Sequence, residues 1–241
     1  MHAILFDWPY VGLGLAAALV AWIALEPRPA GSGPRWRDPA SVLPLLWPMY
    51  LVHQFEEHGV DALGRHYAFL GELCTTLGFG GSHAGCPGDP AFIFAVNAVG
   101  CQLTFAIALW FRRRNPLVAA CAWGVALVNA ATHIAGAFVH GAYNPGLLTA
   151  VVLFAPMCAW MLRTVIRAGV VQPRQVPRVV GTGLALHAVL IASLLLREHG
   201  LISQAALLAI NAVNGLMPLP FGLPGVRPRP RPKPKYISHD F

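Results

Sequence analysis

Residues 41–58 read Ser-Val-Leu-Pro44-Leu-Leu-Trp-Pro48-Met-Tyr-Leu-Val-His53-Gln54-Phe55-Glu56-Glu57-His58. The stretch begins apolar, broken only by two prolines, and ends densely ionisable. From Ala40 to Val52 there are 13 residues, whereas a helix needs roughly 20 to cross a bilayer core of about 30 Å. If this segment spans a membrane, it carries an imidazole and two carboxylates inside. Whether it spans sets both the number of crossings and the place where chemistry can occur.

Composition supports the membrane reading. Of the 241 residues, 56% are apolar and only 11% charged, against about 25% charged in a soluble domain. That deficit excludes an ordinary soluble domain and a disordered chain alike. Besides the 40–58 segment, six apolar stretches can be drawn, at 8–25, 91–111, 117–139, 146–162, 179–196 and 201–217. The first lacks the basic start of a cleavable signal, since Asp7 precedes it and no Lys or Arg does, so it reads as a retained span. The expected fold is all-α: a polytopic bundle of about seven spans over 1–217, followed by a Pro-rich basic tail at 218–241.

The basic residues test that count. The net charge is +7, which in a soluble protein would suggest nucleic acid. Here the basic residues follow alternate spans: Arg28, Arg35 and Arg37 after the first, Arg112 to Arg114 after the third, Arg163 to Arg178 around the fifth, and Arg227 to Lys235 in the tail. With seven spans, 15 of the 17 fall on one face and only Arg65 and Arg197 opposite. By the positive-inside rule the N-terminus is then outside and the C-terminus inside, and no nucleic-acid partner is needed. The expected location is a multi-pass position in a cell membrane of the bacterial inner, or cytoplasmic, type. The tail, alternating Pro with Arg or Lys, either binds anionic headgroups or serves only to solubilise and fix topology. The outer loop 59–90 carries Cys74 and Cys86 on the oxidising side, where they can pair as a disulfide. Cys101, Cys121 and Cys158 lie in apolar stretches and read as small core residues.

Ionisable groups inside a membrane are costly and mark functional sites. On a helix, positions i, i+3 and i+4 share a face, so His53, Glu56 and Glu57 project together, and His58 points elsewhere, toward the interface. One imidazole and two carboxylates can hold a metal, or can handle protons as a pair. Partners are available in other spans. Asn129, His133, Gly136 and His140 form a polar stripe along the fourth, and Asn97 lies in the third. His53, His133 and Asn97 each stand six residues from the outer end of their span, about 9 Å deep at about 1.5 Å per residue. Tyr143-Asn144-Pro145-Gly146 reads as a tight outer turn joining spans four and five, with His140 and Tyr143 at the mouth of the site. His187, alone in span six, reads as a core histidine. Asn211 and Asn214 read as interhelical hydrogen-bond formers.

The His53-Gln-Phe-Glu56-Glu57 motif, an asparagine in the next span, the Asn129-x-x-x-His133 stripe and the Asn144-Pro-Gly turn together resemble the HXXEE-domain integral membrane proteins, over about 43–165. The resemblance implies a multi-span helical protein and supplies no activity.

The expected ligands of a divalent metal are His53, Glu57 (or Glu56) and His133, with His140 a further candidate. Asn97, Asn129, Tyr143 and Asn144 would support them. Mixed nitrogen and oxygen donors suit Zn²⁺, Fe²⁺ or Mn²⁺, and the glutamate left free would act as general base. Such an enzyme, hydrolytic or oxidative, would take a lipid or another apolar substrate near the outer face. Two other classes stay open: a proton-coupled transporter or channel using Glu56 and Glu57, and a non-catalytic membrane protein with a structural polar network.

Overall fold

The structure is a computed structural model and describes residues 2–28, 33–78 and 86–223. The basic tail beyond 223 lies outside the described residues. The described chain is all-helical, without a β-strand. Its helices are α1 (His2–Leu25), α2 (39–58), α3 (Ala68–Thr76), α4 (Pro90–Phe111), α5 (Pro116–His140), α6 (Leu147–Arg167), α7 (Pro173–Glu198) and α8 (Gln204–Gly222). Six of them, all but α2 and α3, are long and apolar enough to cross a membrane. Their outward faces are correspondingly greasy: Phe138 is 85% exposed and Val11 72%, which in water would be a liability and in lipid is solvation. The last helix runs to Gly222, so 218–222 belongs to the bundle rather than to the tail.

α2 is not among those six. It nevertheless lies inside the bundle, packed along α1, with Val42, Leu43 and Leu46 fully buried. Asp38 caps its start, accepting from Ala40 N at 3.0 Å, with Pro39 in the first turn as proline prefers. Pro44 and Pro48 do not break the helix. They tighten it to a 3-10 turn at Leu43–Leu45, and a neighbour reaches the carbonyl that Pro44 leaves free: Arg112 Nη1 lies 3.5 Å from Ala40 O, while Trp123 Nε1 donates to Leu43 O at 2.9 Å. Re-satisfaction by adjacent helices is how proline survives in a membrane bundle.

The two ends of the bundle differ. At one end Arg112 and Arg113 pair with Glu26, and Arg28 with Asp38, while Arg35 donates to the carbonyls of Ile23 and Glu26. The arginines after α1 and after α4 thus meet at one end. At the other end lie the α2 terminus, α3, the 141–146 turn and the α7–α8 connection. There Cys74 and Cys86 form the expected disulfide. Asp61, in the loop after α2, is buried and accepts from Leu63 N, Arg65 N and Arg65 Nε at 2.9, 2.8 and 2.7 Å.

Close helix crossings depend on glycine. A Cβ on Gly124 of α5 would stand 2.0 Å from Val179 O of α7, and one on Gly183 of α7 would stand 2.0 Å from Gly124 O. This is the small-residue contact expected between helices that gain little from the hydrophobic effect in lipid. Cys101, Cys121 and Cys158 are free and buried, as their apolar settings predict.

Candidate metal centre

α2 brings its ionisable end to where α5 and α6 meet. Glu57 is 3% exposed, His53 0% and His133 7%. Glu57 Oε1 lies 3.0 Å from His133 Nε2, and its Oε2 lies 3.4 Å from His53 Nε2. One ligand atom from each of the three residues falls within 4.8 Å of the others. His53, Glu57 and His133 could therefore hold a metal ion.

The hydrogen bonds around the two imidazoles fix what they offer. Asn144 Nδ2 donates to His133 O at 3.0 Å, so its Oδ1, 2.6 Å from His133 Nδ1, accepts. His133 Nδ1 carries a proton, and in the neutral ring Nε2 presents a lone pair to Glu57. On the other side Thr149 Oγ1 donates to Glu56 Oε2 at 2.5 Å and accepts from His53 Nδ1 at 2.7 Å. His53 Nε2 then also presents a lone pair toward Glu57, and it has no hydrogen-bond partner among the described residues. Two lone pairs and a carboxylate converge on one buried point. Acceptors buried face to face need a positive charge between them, a proton or a metal cation.

The turn between α5 and α6 makes the approach possible. Gly146 sits at φ +95°, and a Cβ there would stand 2.8 Å from the Cε1 of both His53 and His133 and 2.9 Å from Glu57 Cγ. Only glycine closes the turn against three prospective ligands. The Asn-Pro-Gly segment is thus both the predicted tight turn and the back wall of the centre. Helix irregularities flank it. Wide π turns occur at Ala95–Gly100 in α4 and Ala150–Phe154 in α6, a distortion common at functional sites.

The two glutamates do not act as a pair. Glu56 turns to the start of α6 and accepts from Tyr143 Oη at 2.7 Å, Leu148 N at 3.0 Å and Thr149 N at 2.7 Å, besides the Thr149 hydroxyl. Glu57 faces the histidines. Among the described residues they share no hydrogen-bond partner, because consecutive helical positions diverge by about 100°. This corrects the expectation of one common face, and Glu56 has no lone pair to spare as a base. Burial, together with its bond to Glu56, pushes the Tyr143 hydroxyl well above its ordinary range, so it remains a donor. Its oxygen also accepts from Ala62 N at 3.1 Å, tying the 59–67 loop to the site.

The other predicted residues scatter. Asn97 is buried in the α4 π turn and bonds Gln54, not the histidines: Gln54 Nε2 lies 3.1 Å from Asn97 O and 3.2 Å from its Oδ1. Asn129 lies one turn below His133 on a cavity wall, and His140 stands exposed at the rim of that cavity, outside the three-residue group. His58, expected at the interface, is instead 1% exposed, enclosed by Trp8, Tyr67 and Phe69, with Nε2 3.5 Å from Glu57 Oε2. Its five-residue offset from His53 hides this, because Glu57 swings between the two rings. Thr149 and Gly146 were missed as site residues; a lone threonine at a helix start carries no signal for such a role.

These features define a helical membrane protein with a buried histidine–glutamate centre carried by one interrupted helix. A family model described as a protein of unknown function with an HXXEE motif matches residues 44–161, from within α2 to within α6. Residues 44–161 thus carry the HXXEE domain of that family, and His53, Glu56 and Glu57 are the motif's named positions. No curated protein and no solved structure matches the chain.

Proposed function

We propose that this protein is a metal-dependent integral membrane enzyme of hydrolytic type, with zinc held by His53, Glu57 and His133. The carrying observation is the convergence of two imidazole lone pairs, fixed by Asn144 and Thr149, on the Glu57 carboxylate. Two histidines and one glutamate are a donor set of catalytic zinc sites, which keep a fourth position open. A zinc ion bound there would supply Lewis acidity and acidify bound water. The chain's own residues do the rest. Asn144 and Thr149 orient the rings, as outer partners of metal-binding histidines do. The Gly146 turn seals one side. His58 lies on the cavity wall with its Nε2 3.5 Å from Glu57 Oε2. We further propose that the arginine end is cytoplasmic and the centre lies near the outer face, with the substrate a lipid or another apolar molecule.

Elemental analysis of the purified full-length protein tests the centre. About one zinc per chain is expected, lost in His53→Ala and His133→Ala with helical content unchanged by circular dichroism. A wild-type protein that contains no metal and takes none up from added zinc, iron or manganese would overturn it.

A further inference from the structure

Below the centre a cavity of about 300 Å³ extends between α4, α5, α7 and α8 and under α3, within the size range of ligand sites. Glu57, His58 and His133 line it near the outer end; Asn129, His187, Asn211 and Asn214 line it farther in. Asn129 is one helical turn, about 6 Å, deeper than His133, and Asn214, ten residues into α8, reaches a similar depth at about 15 Å from the helix start.

The inner groups all offer acceptors. Asn211 Nδ2 donates to Ser193 Oγ and Leu207 O, both at 2.9 Å, and Asn214 Nδ2 to Leu186 O at 2.9 Å. His187 Nδ1 donates to Gly183 O at 2.8 Å, leaving Nε2 as an acceptor when the ring is neutral. Both amide hydrogens of Asn211 are thereby committed, which leaves its Oδ1, and Asn214 keeps its Oδ1 beside one further amide hydrogen. These two oxygens and that of Asn129 are buried and have no hydrogen-bond partner among the described residues. Asn211 as a whole is only 3% exposed. Buried polar atoms are nearly always paired, so three unpaired acceptors around one cavity ask for a donor-bearing ligand. Charge narrows the choice. The carboxylates among the described lining residues are Glu57 and Glu72. Glu57 is committed to the histidines and Glu72 lies on α3 at the mouth, so no counter-ion for an ammonium stands beside the asparagines. The wall also carries the apolar side chains of Ile93, Val96, Leu186 and Leu190.

We propose that this cavity binds the hydroxyl-bearing end of a neutral lipid-like molecule, with the side-chain oxygens of Asn129, Asn211 and Asn214 receiving its hydroxyls. The site deepens the metal-centre reading and rests on it for any chemistry: a group about one helical turn above the bound hydroxyls comes level with His133. Binding itself needs no metal and can be read separately.

The test is a thermal-shift titration of the full-length protein in lipid nanodiscs, with three probes of equal chain length. 1-Monooctanoylglycerol carries hydroxyl donors, methyl octanoate has none, and octylamine is cationic. Monooctanoylglycerol should half-saturate the shift at a concentration at least tenfold below either of the others. Asn211→Leu and Asn129→Leu should each raise that concentration at least tenfold while metal content stays at the wild-type value. Asn211→Leu loses the bond to Ser193 and can disturb folding. The Asn129 oxygen has no partner to lose, so Asn129→Leu keeps the test decisive, and without ligand it should melt no lower than wild type. Equal response to methyl octanoate, preference for octylamine, or unchanged binding in Asn129→Leu would each overturn the site. A metal-free wild type that still prefers monooctanoylglycerol would remove the metal reading and leave this site standing.

Discussion

Asn144 and Thr149 decide what His133 and His53 present to Glu57, although neither touches that carboxylate. Each occupies the Nδ1 side of one ring, so removal frees the ring to turn and to change tautomer. Thr149→Val should weaken metal binding 10–100-fold, the usual cost of losing an outer partner, and Thr149→Ser should restore it; competition with a chromophoric chelator measures both. The two glutamates of the motif should separate cleanly. Glu57→Gln removes a ligand and should abolish metal binding. Glu56→Gln should keep the metal but lower stability by about 1.5–3 kcal/mol, the worth of hydrogen bonds to a charged group, because its new amide donor meets the Tyr143, Leu148 and Thr149 donors. Equal metal loss in the two variants would contradict this division of roles.

At the scale of elements, α2 and the 59–67 loop behave as one unit. The helix ends in its ionisable residues, and the loop folds back through a single bridge between Val60 and His66 and the Tyr143–Ala62 bond. Asp61 holds the loop together. Burial raises its pKa, but the hydrogen bonds from Arg65 and Leu63 outweigh that and hold it below the ordinary carboxylate value. A depressed native pKa stabilises the fold above the unfolded value of about 3.9, and that stability is lost as pH falls through the native pKa. Hydrogen exchange over residues 59–67 should therefore be slower in wild type than in Asp61→Asn at pH 7, with the difference vanishing as the pH falls through the depressed native pKa of Asp61. A pH-independent difference would assign the effect to shape rather than charge.

For the whole molecule, the separation of an arginine end from a histidine–glutamate end predicts topology. Phosphatase fusions after Arg37, Arg114 and Arg167 should be inactive and fusions after Leu63 and Gly200 active, while green fluorescent protein fusions give the reverse. An active fusion after Arg114 would sink the orientation. The sequence carried a good deal of this. Low charge and apolar runs determined a helical membrane bundle, because a bilayer core admits few other solutions. The spacing of His53 and Glu57, and the stripe holding His133, marked three prospective ligands, because i, i+4 positions share a face whatever the fold. Sequence alone could not say that Glu56 and Glu57 part company, that His58 is enclosed, that Asn97 serves Gln54, or that Gly146 backs the centre. Those outcomes depend on where the start of α6 and the turn before it come to rest against α2, which is set by packing between segments some 90 residues apart, such as Glu56 and Thr149. Local periodicity determined which side chains could meet. Tertiary contact decided which lone pairs were already taken, and so which remained for a metal and for the ligand of the cavity.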